Sequence, residues 1–417
     1  MSRQPRSPVR RRLLLGALAG AATGVLGWQL LRPRLVNPCH ATLPPEVMEH
    51  PLVRAAWDGL DPAQVWDCHV HLAGIGDGGS GITISPSMLS PLHPLEYLQR
   101  LFYLNAGCVH DAPDQVDASY VARLENLMDA MPAGCKLMLF AFDQVHDARG
   151  VAQPAQSAFH VPDAYARQVA AARPDRFEWV CSIHPYREDA VEALDAAVAG
   201  GARAVKWLPP AMGIDPAAAQ CDRFYAALAR HDLPLISHAG EELAVHGAGD
   251  PGWGNPLRLR RALAAGVRVV MAHCASIGED EDLDRGERGP RVPSFALFRR
   301  LMAEPAHDGR LFADISAITL RNRDLSVLRE IIEQQQWHNR LLFGSDYPLP
   351  GILPLVSPAQ LAAEDMLVDA AVPLLERIRD HHPILFDLVL KRLLRSRGAR
   401  LADGIFETRR FFDRSPA

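Results

Sequence analysis

The chain has 417 residues, of which 48% are hydrophobic and 22% charged, with a formal net charge of -5. That composition supplies one large apolar core, and the length alone does not demand two domains. The acidic balance, with no basic patch carrying interleaved aromatic residues, argues against nucleic acid as a partner.

Residues 1–40 read as a separate device. Arg3, Arg6, Arg10, Arg11 and Arg12 precede Leu13–Leu31, a run without charge, and no acidic residue occurs before Glu46. This is the layout of an export signal with a positive n-region. Arg10-Arg11-Arg12-Leu13-Leu14 is similar to the twin-arginine signal, which exports folded proteins. As a helix the run spans about 28 Å, close to the hydrocarbon thickness of a bilayer. No Ala-x-Ala cleavage pattern follows it, so it is read either as a cleaved signal or as an anchor in the inner membrane. The arginines before the run outnumber Arg32 and Arg34 after it, which favours a periplasmic location for the rest of the chain.

From residue 41 onward, short apolar runs alternate with helical patterns. Val65-Trp66-Asp67-Cys68-His69-Val70-His71 reads as a first strand. Its alternate side chains share a face, so two imidazoles converge about 6–7 Å apart along the backbone. A long stretch follows at about 72–134, opening with Gly74-Ile75-Gly76-Asp77-Gly78-Gly79-Ser80-Gly81, where glycine removes backbone restriction. It is either a substrate lid or an oligomer contact. It is not a phosphate loop, because no Gly-Lys-Ser/Thr follows.

Further strands are predicted at Lys136–Phe142, Phe177–Ile183, Arg203–Lys206, Leu233–His238, Val267–His273, Leu311–Ile315 and Leu341–Asp346, where Pro348 stops continuation. Helices are predicted at Glu188–Ala199, Cys221–Arg230, Ser294–Glu304 and Leu325–Gln335, with closing helices from about Leu361. This alternation predicts the α/β class with a parallel sheet, closed as a (β/α)8 TIM barrel.

Six strand-terminal residues would then meet at one mouth: His69, His71, Lys206, His238, His273 and Asp346. Histidine nitrogen and carboxylate oxygen are what zinc, manganese or iron take in hydrolytic sites. Asp346 and His273 are the candidate catalytic groups. The chain has only three lysines, Lys136, Lys206 and Lys391, so a lysine at a strand end is conspicuous. Asp143, His184, Arg187, Trp207, Glu241, Glu242, Asp314 and Ser316 follow the same strands. Among these His184, Arg187 and Trp207 are the substrate-binding candidates, since an arginine fork suits a carboxylate or phosphate. Arg187 equally suits a rim contact with Glu188 or Asp189. His93, His110, His146, His231, His246, His307, His338, His381 and His382 are assigned to surface or packing roles.

Of the seven cysteines, Cys68, Cys135, Cys181 and Cys274 lie in or beside strand runs and read as small buried hydrophobes. A Cys108–Cys221 bridge stays open, and no Cys-x-x-Cys spacing suggests structural zinc.

At the strand-end residues the chain resembles the amidohydrolase superfamily, within its branch of small-molecule hydrolases and decarboxylases that begins with a Trp/Asp-x-His-x-His strand. The resemblance runs from roughly Asp61 to the last helix. It implies that His69 and His71 hold one divalent metal, zinc by preference, and that His238 and His273 are available to a second. It also implies that Asp346 binds metal and moves protons. In binuclear members a strand-end lysine is carbamylated and bridges both ions, and Lys206 matches that position. In a mononuclear site Lys206 instead pairs with a buried carboxylate. The implied activity is hydrolysis of a small-molecule ester, lactone or amide. Two alternatives remain open: a mononuclear decarboxylase with the same ligands, and a non-catalytic, membrane-tethered metal-binding protein. The partners foreseen are a small-molecule substrate, the membrane through an uncleaved N-terminal segment, and a second copy of the chain.

Overall fold

The computed structural model describes residues 34–109, 112–245 and 249–413, together with Arg32 and Gly247. The export or anchor segment, from Arg3 through Leu31, lies outside the described residues, as do His110 and His246.

Eight parallel strands form the centre: β1 (Trp66–His71), β2 (Lys136–Phe140), β3 (Phe177–Val180), β4 (Val205–Trp207), β5 (Leu235–Ser237), β6 (Val269–Met271), β7 (Leu311–Asp314) and β8 (Leu341–Leu342). Parallel ladders join β1 to β2 to β3, and β4 through β8 in chain order. A Cys181–Val205 bridge links β3 to β4, and Cys68 N–H donates to Phe343 O at 3.1 Å across the β8–β1 seam. The barrel is therefore closed, as a (β/α)8 fold requires.

Several strands pair over fewer residues than their apolar runs suggested. The extra apolar residues, such as Ala141, Phe142 and Ile183, are buried all the same and carry the chain past the ladder into the loops. Alternation sorts the core into two. Trp66, Cys68, Met138, Phe140, Val180, Ala204, Ile236, Val270 and Leu342 fill the barrel interior together with Phe412. Their neighbours, such as Leu137, Trp179, Val205, Leu235 and Val269, pack in the outer core, which includes the helices. Helices at Ala190–Ala199, Asp222–Arg230, Ser294–Ala303 and Leu325–Glu333 follow the predicted stretches, and Ala371–His381 and Pro383–Leu393 close the C-terminal side.

The insertion after β1 is an ordered roof. Thr83–Ile84 pairs antiparallel with Phe159–His160, and helices Pro86–Leu89 and Pro94–Ala106 follow. The glycine run is pinned by two carboxylates. Asp117 Oδ1 accepts from Ile75 N–H (2.7 Å) and Gly76 N–H (3.1 Å), while Asp77 caps the helix Val116–Asp129 through Val116 N–H at 2.9 Å. Gly76 needs to be glycine: its φ is +85° and a Cβ would meet Ile82 O at 2.2 Å.

Residues 37–40, assigned by sequence to the N-terminal device, belong to the folded unit. Asn37 is buried and donates from Nδ2 to Gly351 O and Arg379 O, and its backbone N–H donates to Asn105 Oδ1 at 2.8 Å. Cys39 and Cys108 form a disulfide. The Cys108–Cys221 bridge is thereby corrected: Cys221 is free and buried, as are Cys68, Cys135 and Cys274, and Cys181 is buried as well. Among the described residues no helix is long and apolar enough to cross a membrane.

Beneath β8, Lys391 Nζ donates to Asp387 Oδ2 at 2.5 Å and to Gly344 O at 2.8 Å, with both side chains buried. Lys391→Met leaves Asp387 without its cation and is expected to lower unfolding free energy by about 3–5 kcal/mol in urea titrations. The double variant Lys391→Met/Asp387→Leu should recover most of that loss. A double variant as unstable as the single one would show that pairing is not what Lys391 contributes.

Candidate metal centre

The β1 pattern places His69 and His71 on the mouth side of the barrel, and the seam with β8 sets their partner. Asp67 Oδ1 accepts from His69 N–H (3.2 Å) and Ser345 N–H (2.8 Å), and Asp346 N–H donates to His69 O at 2.9 Å. Asp346 is thus delivered beside both imidazoles. Its Oδ1 lies 3.1 Å from His71 Nε2 and 3.5 Å from His69 Nε2. These three donors lie within 4.8 Å of one another. Donors about 2.0–2.2 Å from one tetrahedral ion stand about 3.3–3.6 Å apart, so the set fits a divalent cation.

Asp314, at the end of β7, completes a second group with His69 and His273, but its geometry is that of an orienting residue. Its Oδ2 is 2.9 Å from His69 Nδ1, and its Oδ1 accepts from His273 N–H and Ser316 N–H, each at 3.0 Å, and from the Ser316 hydroxyl. A carboxylate against Nδ1 assigns the Nδ1–H tautomer to His69 and leaves the Nε2 lone pair for a metal. His273 is arranged alike: Nδ1 meets Ser316 Oγ at 2.8 Å, while Nε2 lies 3.9 Å from Asp346 Oδ2.

Lys206 stands on the His69 Nε2 lone pair, with Nζ at 3.1 Å. No carboxylate of a described residue forms an ion pair with it. Burial pulls its pKa below the ordinary lysine value, against the opposing fields of Asp314 and Asp346. Burial, then the nearby Lys206 charge, brings His69 down to about 4, and burial takes His273 well below the usual imidazole range. Burial opposes ionisation of Asp346, but the surrounding imidazoles of His69, His273 and His71 hold its carboxyl below the usual range.

His238 does not join the donor group. Its Nδ1 is 3.4 Å from Glu242 Oε2 and its Nε2 is 3.3 Å from Glu241 O, with the ring 5.4 Å from that of His273. Both nitrogens face acceptors, so the loop after β5 holds the ring at the rim. It still lines the cavity, of about 150 Å³, together with His69, His71, Lys206, His273 and Asp346. Most of the remaining wall is apolar, with Leu72, Ile82, Ile84, Met88, Phe159 and Val161 contributing, and Arg100, Tyr103 and Glu242 are set into it.

The three substrate-binding candidates are placed elsewhere. Trp207 is fully buried and donates from Nε1 to Ile183 O at 2.9 Å. His184 Nε2 meets Met212 O at 3.0 Å, and Arg187 pairs with Asp143 and Asp189. None lines the cavity, because each finds its partner among the loops of its own barrel sector; the rim contact foreseen for Arg187 is the one observed, with Asp189. Sequence reasoning missed Tyr103, whose hydroxyl donates to Ala244 O at 2.8 Å and ties the roof to the loop after β5. It also missed Arg323. Neither belongs to a strand-end motif, and nothing local distinguishes them from surface residues.

Residues 66–367 match the sequence model of the amidohydrolases. The chain belongs to the amidohydrolase family. No curated protein matches it. Among solved structures it is similar to an uncharacterized TIM-barrel protein from Bordetella bronchiseptica, at 18% identity and a TM-score of 0.43, covering 75% of this chain and 98% of that one. It is also similar to a putative 2-pyrone-4,6-dicarboxylic acid hydrolase from Pseudomonas putida (16% identity, TM-score 0.40, covering 84% and 97%). A third is 5-carboxyvanillate decarboxylase from Sphingomonas paucimobilis (12% identity, TM-score 0.41, covering 84% and 98%).

Asp314→Asn keeps the shape but offers an amide where three donors converge on Oδ1 and an imidazole N–H on Oδ2. Metal affinity, read by competition with a chromogenic chelator, should fall about 10–100-fold. An unchanged affinity would show that His69 is oriented by something else.

Proposed function

We propose that this amidohydrolase is a metal-dependent hydrolase that uses water to cleave a small-molecule ester, lactone or amide. The observation that carries the reading is Lys206, whose buried amine stands 3.1 Å from His69 Nε2 with no ion-pair partner among the described residues. With a divalent ion held at His69, a second positive charge on Lys206 would be disfavoured, and the amine would be neutral there. A neutral amine at that point is what carbamylation needs, and a carbamate suits a hydrolase with two ions.

His69, His71 and Asp346 would hold the metal, with His273 beside them; when bound, it supplies a Lewis acid that polarises a carbonyl and makes water more acidic. Asp346 acts as general base, taking a proton from water and passing it to the leaving group. Its Oδ1 is held by His71, while Oδ2 faces His273. His273, kept neutral by burial, orients water or the carbonyl through Nε2. The apolar walls exclude bulk water and strengthen each of these interactions.

A second reading, a mononuclear decarboxylase, is favoured by the place of His238, since without it the two donor groups share His69 and Asp314 is taken up in orienting, which suits one ion at His69, His71 and Asp346. We also propose that the chain works outside the cytoplasm, tethered or released by its N-terminal segment. The Cys39–Cys108 disulfide supports this, because such bonds persist in oxidising compartments.

Metal-loaded protein, prepared with bicarbonate, is to be assayed on ester, lactone and amide panels and, in parallel, for carbon dioxide release from aromatic and enoic acids. Hydrolysis is expected, with Asp346→Asn lowering kcat about 10²–10⁴-fold. Carbon dioxide release without hydrolysis would replace this reading with the second. Lys206→Arg keeps the charge but cannot be carbamylated, so metal content should fall from near two ions per chain toward one. Content already near one in the parent, and unchanged in Lys206→Arg, would remove the carbamate from the account.

A further inference from the structure

Outward of the inner cavity a second one, of about 530 Å³, opens over the same groups, with His238, His273 and Asp346 lining both. Much of its wall is apolar, with Leu95, Phe102, Ile277, Leu320, Ile352 and Leu355 contributing. Set in that wall is Arg323, on the loop between β7 and the helix Leu325–Glu333.

Arg323 is a part-buried cation without an ion-pair partner among the described residues. Its Nη1 donates to Ser276 Oγ at 2.7 Å, and its Nε is shut off from solvent with no acceptor. Asp346 and Glu242 act on it only through longer-range fields. Both are committed elsewhere. Asp346 Oδ1 faces His71; Glu242 Oε1 accepts from Ala244 N–H and Val245 N–H, and Oε2 faces His238. Burial lowers the Arg323 pKa to about 10, which still leaves it charged at neutral pH. A guanidinium desolvated in an apolar wall is costly unless an anion meets it. Ser276 occupies Nη1 and Nε is closed off, which leaves Nη2 as the nitrogen that can donate a charge-assisted hydrogen bond to a carboxylate oxygen.

We propose that Arg323 is the anchor for a carboxylate on the substrate, so that the site takes small organic acids whose apolar body lies along the adjoining leucine and isoleucine walls. This rests on the reading of the adjoining groups as the reactive centre. Arg323 is a specificity-determining residue in this account. It sits where an anion bound to it lies beside His273 and Asp346 in one cavity, and it selects acids over their neutral counterparts.

The test is calorimetric titration of the full chain with benzoate and with benzamide, for the parent, Arg323→Gln and Arg323→Lys, each with and without metal. Benzoate affinity is expected to fall about tenfold or more in Arg323→Gln and to recover in part in Arg323→Lys, while benzamide affinity stays within about twofold. Matched metal content and melting temperature in the variants exclude a folding effect, and Arg323→Lys carries the test if Arg323→Gln does not fold. Equal benzoate affinity in the parent and Arg323→Gln would overturn the proposal, as would a parent that binds no benzoate. A chain that takes up no metal would sink the hydrolase reading, yet the difference between parent and Arg323→Gln in metal-free protein would still decide this one.

Discussion

The centre depends on one carboxylate. Asp314 is fully buried at the end of β7, and its two oxygens take the His69 imidazole on one side and the His273 backbone, Ser316 backbone and Ser316 hydroxyl on the other. A buried carboxylate is costly unless its lone pairs are filled, and here each is met by a group that the metal centre needs in place. The hydrogen bonds that keep Asp314 ionised also choose the tautomer of His69 and point both Nε2 atoms into the cavity. Orientation of the donors and stability of the acid are therefore one problem with one solution.

Backbone strain gathers around the same point. His273, Cys274 and Ala275 follow β6 with φ of 57°, 53° and 47°, and Asp346 has φ of 62°. Left-handed conformations cost non-glycine residues about 1–2 kcal/mol each, and runs of them are rare. They persist because the neighbours over-determine them: Asp314 holds the His273 N–H, and His69 O holds the Asp346 N–H. A regular strand end would aim His273 and Asp346 elsewhere. The stability released by the barrel core, sealed below by Phe412 and beside β8 by the Lys391–Asp387 pair, sustains that distortion at the mouth.

The barrel was legible because its strands are short apolar runs at regular spacing, and five of the six strand-end groups converge because barrel geometry leaves them no other direction. Lysine usage was also informative. Lys206 and Lys391 are both buried, the first against His69 Nε2 and the second between Asp387 and Gly344 O, whereas the abundant arginines mostly sit in exposed or rim pairs. What sequence could not show was three-dimensional competition for partners. His184, Arg187 and Trp207 follow strands as the donors do, yet Met212 O, Asp189 and Ile183 O claim them first. The glycine run reads as loose until Asp77 and Asp117, forty residues apart, are seen to clamp it. Arg323 carries no local signal at all, since its lack of an ion-pair partner among the described residues is a property of the folded loop.

The central claim is that β1, β7 and β8 pre-arrange a cation site at His69, His71 and Asp346. A crystal structure with anomalous scattering at the edge of the bound metal tests it most directly. The account predicts a peak in bonding contact with His69 Nε2, His71 Nε2 and Asp346 Oδ1, with Asp314 still on His69 Nδ1. A peak centred on His238 and Glu242 instead, or none in protein that elemental analysis shows to be metal-loaded, would contradict it.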